Sequence, residues 1–181
     1  NAGCSTTATV SITQPAAITV TATSLDAKCF ATATGTINVT GGGGTPTYSY
    51  NLNGGAYQTS NTFNSVGAAI YIVGIRDVNG CTQTTTVQVN QPTALVLNIS
   101  TQNANCTAAN GIASSTVTGG TPIYTYSWTG AGGINPVSNG LVSGNYSLTV
   151  TDFNGCVITA GANIGNTPGG TAAITASTNI T

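Results

Sequence analysis

Gly43-Gly44-Thr45-Pro46-Thr47-Tyr48-Ser49-Tyr50 returns as Gly119-Gly120-Thr121-Pro122-Ile123-Tyr124-Thr125-Tyr126, so that Gly43 corresponds to Gly119. A second stretch, Tyr71-Ile72-Val73-Gly74-Ile75-Arg76-Asp77-Val78-Asn79-Gly80-Cys81, returns as Tyr146 through Cys156, with Cys81 corresponding to Cys156. A third match sets Gly3-Cys4, Val10, Ile12, Gln14 and Pro15 against Gly80-Cys81, Val87, Val89, Gln91 and Pro92, with Cys4 corresponding to Cys81. The three offsets are 76 (119 − 43), 75 (156 − 81) and 77 (81 − 4), and the motifs keep the same order. Such a repeat is longer than the roughly 20–50 residues of solenoids and propellers, and it predicts separate small domains, each with its own core. The expected division is the end of a preceding repeat in 1–15, whole repeats in 16–92 and 93–168, and the start of another in 169–181.

Within each repeat, apolar residues alternate with polar ones. Ile18, Val20 and Ala22 are matched by Leu95, Leu97 and Ile99, and Tyr71, Val73 and Ile75 by Tyr146, Leu148 and Val150. A period of two puts such residues on one face of a half-buried strand. Thr, Val, Ile and Tyr favour strands, whereas Gly, Asn and Pro punctuate them. Helix formers are scarce, since Glu is absent and Lys28 is the only Lys. Six or seven short strands per repeat, with turns between them, predict an all-β fold of tandem immunoglobulin-like sandwiches, with a barrel as the lesser alternative. Disorder is the rival reading, but disordered chains combine low hydrophobicity with high net charge. This chain is 40% hydrophobic with a net charge of −1.

Only five of 181 residues are charged. Lys28 and Arg76 make no basic patch, which removes the footing for nucleic-acid or anionic-membrane binding. No stretch approaches the ~20 apolar residues of a membrane span, and no signal peptide is visible. Near-zero net charge favours self-association. Catalysis has little to work with: His is absent, the carboxylates are Asp26, Asp77 and Asp152, and a Ser nucleophile would lack a base. An isopeptide crosslink would have only Lys28 to draw on. The expectation is no enzyme and no cofactor.

The five cysteines predict one disulfide per repeat, Cys29–Cys81 and Cys106–Cys156, with Cys4 left over because its counterpart lies upstream. A closed loop of that size stabilises a small domain by about 4 kcal/mol in the chain-entropy model. Zinc is the competing reading, but it wants four closely spaced ligands, and no repeat offers more than two Cys. Disulfides in turn imply an oxidising, extracytosolic compartment.

Two further features invite a ligand. Asp77-Val78-Asn79-Gly80 and Asp152-Phe153-Asn154-Gly155 look like the opening of a calcium loop, yet Asn-Gly suits tight turns and calcium wants more carboxylates. The favoured reading is a turn whose Asp caps backbone N–H groups. Tyr124, Tyr126 and Trp128 could stack on a sugar, but alternation sets all three on one face, where a core role is favoured. Sequons at Asn38, Asn98 and Asn145 leave glycosylation open.

The run Gly-Gly-Thr-Pro-x-Tyr-x-Tyr, then Gly144-x-Tyr146-x-Leu148-x-Val150-x-Asp152-x-x-Gly155-Cys156, with Gln91-Pro92 closing a repeat, resembles the SprB repeat. The first repeat departs from that pattern at Ala68-Ala69-Ile70. The family occurs in very long surface proteins of gliding bacteria, including mobile adhesins exported by type IX secretion. The sequence is also similar to polycystic-kidney-disease-like and immunoglobulin-like domains. Tyr71 and Tyr146 stand where a tyrosine corner would, although the following Cys lies ten residues on rather than two. The resemblance implies a stalk region of a cell-surface adhesin, its partners being neighbouring repeats in cis. Two alternatives are a homopolymeric filament or surface layer, built by self-association, and a carbohydrate-binding module for a surface polysaccharide.

Overall fold

A computed structural model describes residues 3–106, 108–130 and 133–169, and these contain strands, turns and no helix. The chain divides into two compact units, Asn1–Ala27 with Thr32–Asn90, and Lys28–Ala31 with Gln91–Thr181. Residues 3–18 form no strand, and the expected start of a further repeat in 169–181 lies almost wholly outside the described residues.

The first unit holds β1 (Thr19–Leu25), β2 (Gly35–Gly42), β3 (Ser49–Leu52), β4 (Thr62–Val66), β5 (Ala69–Arg76) and β6 (Thr82–Val89). They form two antiparallel sheets, ordered β1-β2-β4 and β3-β5-β6. One sheet takes the first, second and fourth strands and the other takes the third, fifth and sixth, which is the immunoglobulin-like pattern with one edge strand missing. Two separate sheets make a sandwich, so the barrel alternative falls away. Between them lie Ile37, Val39, Tyr50, Val66, Val73, Ile75 and Val89. β1 alternates strictly between exposed and half-buried positions, as its Thr/apolar pattern requires.

The second unit repeats this plan with β7 (Val96–Gln102), β9 (Gly111–Thr118), β10 (Thr125–Trp128), β11 (Val137–Leu141), β12 (Gly144–Thr151) and β13 (Val157–Ile164). The short segments β8 (Ala104–Asn105) and β14 (Asn166–Thr167) pair in parallel at one end. The sheets are β7-β9-β11 and β10-β12-β13, enclosing Ala113, Trp128, Leu141, Leu148, Val150 and Ile164. The Tyr71 hydroxyl donates to the Gly67 carbonyl at 3.0 Å, and the Tyr146 hydroxyl to Val142 at 3.0 Å. Each Tyr thus reaches back four residues from the first half of its strand, and both repeats have the expected tyrosine corner.

The cysteine pairing differs from expectation. Cys29 is bonded to Cys156, with a Cα–Cα separation of 5.7 Å, and Cys81 and Cys106 take no part in that bond. Cys4 and Cys81 carry free, exposed thiols. Strand direction gives the reason. The Ala27 N–H donates to the Asn90 carbonyl at 2.9 Å, so Cys29 follows directly on the end of the sandwich where β6 finishes. Cys81 stands nine residues earlier, where β6 begins. At ~3.3 Å per residue that is about 30 Å, whereas a disulfide needs Cα atoms within roughly 7 Å. The second unit repeats the geometry, with Ala104 N–H bonded to Gly165 at 2.9 Å and Cys156 at the far end of β13. Neither pair within a repeat, Cys29 with Cys81 or Cys106 with Cys156, can close.

Candidate functional site

The three repeated motifs converge on one end of each sandwich. In the first unit the turn after β5 is closed by Asp77 N–H to the Cys81 carbonyl at 3.0 Å and Gly80 N–H to the Asp77 carbonyl at 3.1 Å. Gly80 has φ +87°, a conformation that costs glycine nothing and any residue with a Cβ a good deal. The Asp77 carboxylate accepts from Cys81 N–H at 2.8 Å and from Thr45 N–H at 2.9 Å. It therefore pins the Gly-Gly-Thr-Pro segment to the turn. The Asn79 side chain adds a third tie, donating to Thr45 Oγ1 at 2.9 Å. The stretch before β1 joins through Gly44 N–H, which donates to the Ala16 carbonyl at 2.7 Å.

The second unit reproduces these ties. Asp152 accepts from Thr121 N–H at 2.8 Å, Asn154 N–H at 2.9 Å and Cys156 N–H at 2.8 Å. Asn154 donates to Thr121 Oγ1 at 3.0 Å, and Gly120 N–H to the Thr93 carbonyl at 2.8 Å. Both carboxyls titrate below the usual carboxylate range. For Asp77 the Thr45 N–H is the main cause, opposed by burial and helped by the N–H groups of Cys81 and Asn79. For Asp152 burial is the largest influence and pushes upward, but the N–H groups of Thr121, Cys156, Asn154 and Gly155 together outweigh it. Each Asp spends its oxygens on backbone donors, as the turn reading expects. Among the described residues no group of three or more His, Cys, Asp or Glu is placed to hold a metal.

In the second unit this end also holds the segment Lys28–Ala31. Cys29 is covalently bound to Cys156, the Asn154 amide donates to the Lys28 carbonyl at 3.0 Å, and Gln91 Oε1 accepts from Ala31 N–H at 2.7 Å. The roles of Gln91 and Asn154 as clamps were not foreseen from the sequence. Their signal was present in the recurrence of Gln14-Pro15 and Asn79 at the matching places. In the first unit the same end bounds a cavity of about 470 Å³, lined by Gln14, Pro15, Thr45, Asn79 and Cys81 among others.

The aromatic candidates lie elsewhere. Trp128 is 7% exposed, belongs to the core, and donates from Nε1 to the Asn135 carbonyl at 3.0 Å. Tyr124 and Tyr126 pack against the same core, and the Tyr124 hydroxyl donates to the Gly119 carbonyl at 2.6 Å. The face expected from alternation exists, but it points inward, so it offers no stacking platform. Arg76 lies over the Tyr57 ring at 4.2 Å, a cation–π contact.

The SprB repeat family model matches residues 21–57 and again 98–133, the first half of each sandwich including its Gly-Gly-Thr-Pro segment. Two segments of the chain thus match the SprB repeat. The Asp-x-Asn-Gly-Cys turn of each unit falls outside the matched residues, so its role rests on the geometry described above. No curated protein matches the chain. Among solved structures it is similar to the amphioxus IgVJ-C2 molecule, at 12% identity over 84% of this chain and 98% of that one. The TM-score is 0.30, too low to bear on the fold of the two units, whose immunoglobulin-like character rests on their strand order.

Proposed function

We propose that this chain is a non-catalytic stalk region of a bacterial cell-surface adhesin, outside the cell and built from SprB repeats. The observation that carries this reading is the recurrence of a whole sandwich, core, corner and clamped end included, with its polar groups spent on holding the fold. Asp77 and Asp152, two of the three carboxylates, accept hydrogen bonds from backbone N–H groups and are held ionised, which makes them weak bases toward a substrate. Disulfide chemistry suits an oxidising exterior, and the near-absence of charge suits a spacer that neither steers nor repels ligands. Gliding motility is the finer role that the SprB repeat suggests.

The test is immunogold labelling of intact source cells with antibodies raised against this chain. Grains on projections from the unpermeabilised surface are expected. Label that appears only after permeabilisation would sink the proposal.

A further inference from the structure

We propose that Cys81 is one half of a disulfide to another repeat, whose loop between its first two strands docks in the cavity beside Gln14 and Asn79. The occupant is a segment of the kind Asp26-Ala27-Lys28-Cys29-Phe30-Ala31, supplied by a further repeat. Three observations carry this inference.

The first is the occupied counterpart. At the equivalent end of the second unit, Lys28–Ala31 is held by a bond to Cys156, by the Asn154 amide on the Lys28 carbonyl, and by Gln91 Oε1 on the Ala31 N–H. Cys81, Asn79 and Gln14 are the residues at those three places in the first unit, and all three line the one cavity. Asn154 uses its amide twice, on Thr121 and on Lys28, whereas Asn79 donates to Thr45 alone among the described residues. One N–H of Asn79 is therefore available to a docked carbonyl.

The second is that the partner cannot come from the same repeat. Cys29 lies about 30 Å from Cys81, at the opposite end of the sandwich. Each repeat thus carries a receiving end and a loop end. The loop ends are built alike, with Asp26 accepting from Asn90 N–H at 2.8 Å and Asn103 from Gly165 N–H at 3.1 Å. The third is the state of Cys81 itself, an exposed thiol that lines the cavity. Joining two thiols releases two electrons and two protons, taken up by a protein or small-molecule disulfide that is reduced to two thiols. The inference does not depend on the adhesin reading, because it concerns only how SprB repeats bind one another.

The test uses the full chain and a synthetic peptide of residues 24–34 whose cysteine is carried as a mixed disulfide with thionitrobenzoate. The Cys81 thiolate attacks the peptide sulfur, the new disulfide forms, and coloured thionitrobenzoate leaves. Site-resolved rates come from peptide mapping by mass spectrometry, with a scrambled peptide of the same composition as reference. The native-order peptide is expected to modify Cys81 at least about tenfold faster than the scrambled one, the factor that two added hydrogen bonds give. In a Gln14→Ala/Asn79→Ala variant that preference is expected to fall to near unity. The small symmetric disulfide of thionitrobenzoate reads thiol exposure alone, and its unchanged rate at Cys81 would show that the variant is folded. Equal rates for the two peptides at Cys81 of the unaltered chain, or a preference that survives the double substitution, would overturn the proposal.

Discussion

Replacing Cys29 by Ser should destabilise the second unit severely, whereas replacing Cys81 by Ser should leave it nearly untouched. The bond from Cys29 to Cys156 spans 127 residues of sequence. In the chain-entropy model a loop of that length is worth about 4.9 kcal/mol if the whole chain unfolds together. If the first unit stays folded the loop is shorter, because Ala27 and Asn90 are hydrogen-bonded at 2.9 Å and the residues between them add no freedom. Only the roughly 65 residues from Gln91 to Cys156 then count, and the figure drops to about 4.3 kcal/mol. Trp128 makes the assay selective, since it is the only Trp and lies in the core of the second unit. Guanidinium unfolding followed by Trp fluorescence should show a midpoint lowered by more than about 1 M in Cys29→Ser, given a slope of ~3 kcal/mol/M. Reductant should bring the unaltered chain to the same midpoint. Equal shifts in Cys29→Ser and Cys81→Ser would refute the reasoning, for that is what a bond within the first repeat would produce.

Gly119→Ala should destabilise the second unit by roughly 1–3 kcal/mol on the same assay, because φ is +76° and an added Cβ would overlap the Ala94 carbonyl. Leu148 is fully buried in that core, and Leu148→Ala should lose about 2–5 kcal/mol in urea unfolding. The folded pKa values of Asp77 and Asp152 are lowered, so the unfolded chain takes up protons first as pH falls. Their stabilising contribution is therefore full above about pH 4–5 and is lost below it; thermal melts should show a steep decline there, and Asp152→Asn should flatten it. Acrylamide should quench Trp128 poorly in the folded chain, and surface polysaccharide should leave its emission unchanged; efficient quenching would reinstate a sugar-stacking role.

The sequence by itself determined the period, the all-β character and the two faces of each strand, because alternation and turn residues act locally and recur at fixed offsets. Tyr71 and Tyr146 could be placed as corners, and Asp77 and Asp152 as turn caps, since their hydrogen bonds reach backbone only a few residues away or in an adjacent repeated motif. Trp128 was half legible: its phase assigned it a face, and the second sheet made that face the interior. The cysteine pairing was decided only in three dimensions. The similar intervals from Cys29 to Cys81 and from Cys106 to Cys156 suggested closed loops, but an interval says nothing about which end of a sandwich a residue occupies. The signal lay in the topology, because β1 and β6 run the same way. Ala16–Ile18 lie beside Cys81 and Gln83 at one end, and Ala27 meets Asn90 at the other. A cysteine after the first strand and one before the last are then held about 30 Å apart by rigid sheet. A disulfide needs proximity in space, and proximity is set by the tertiary fold.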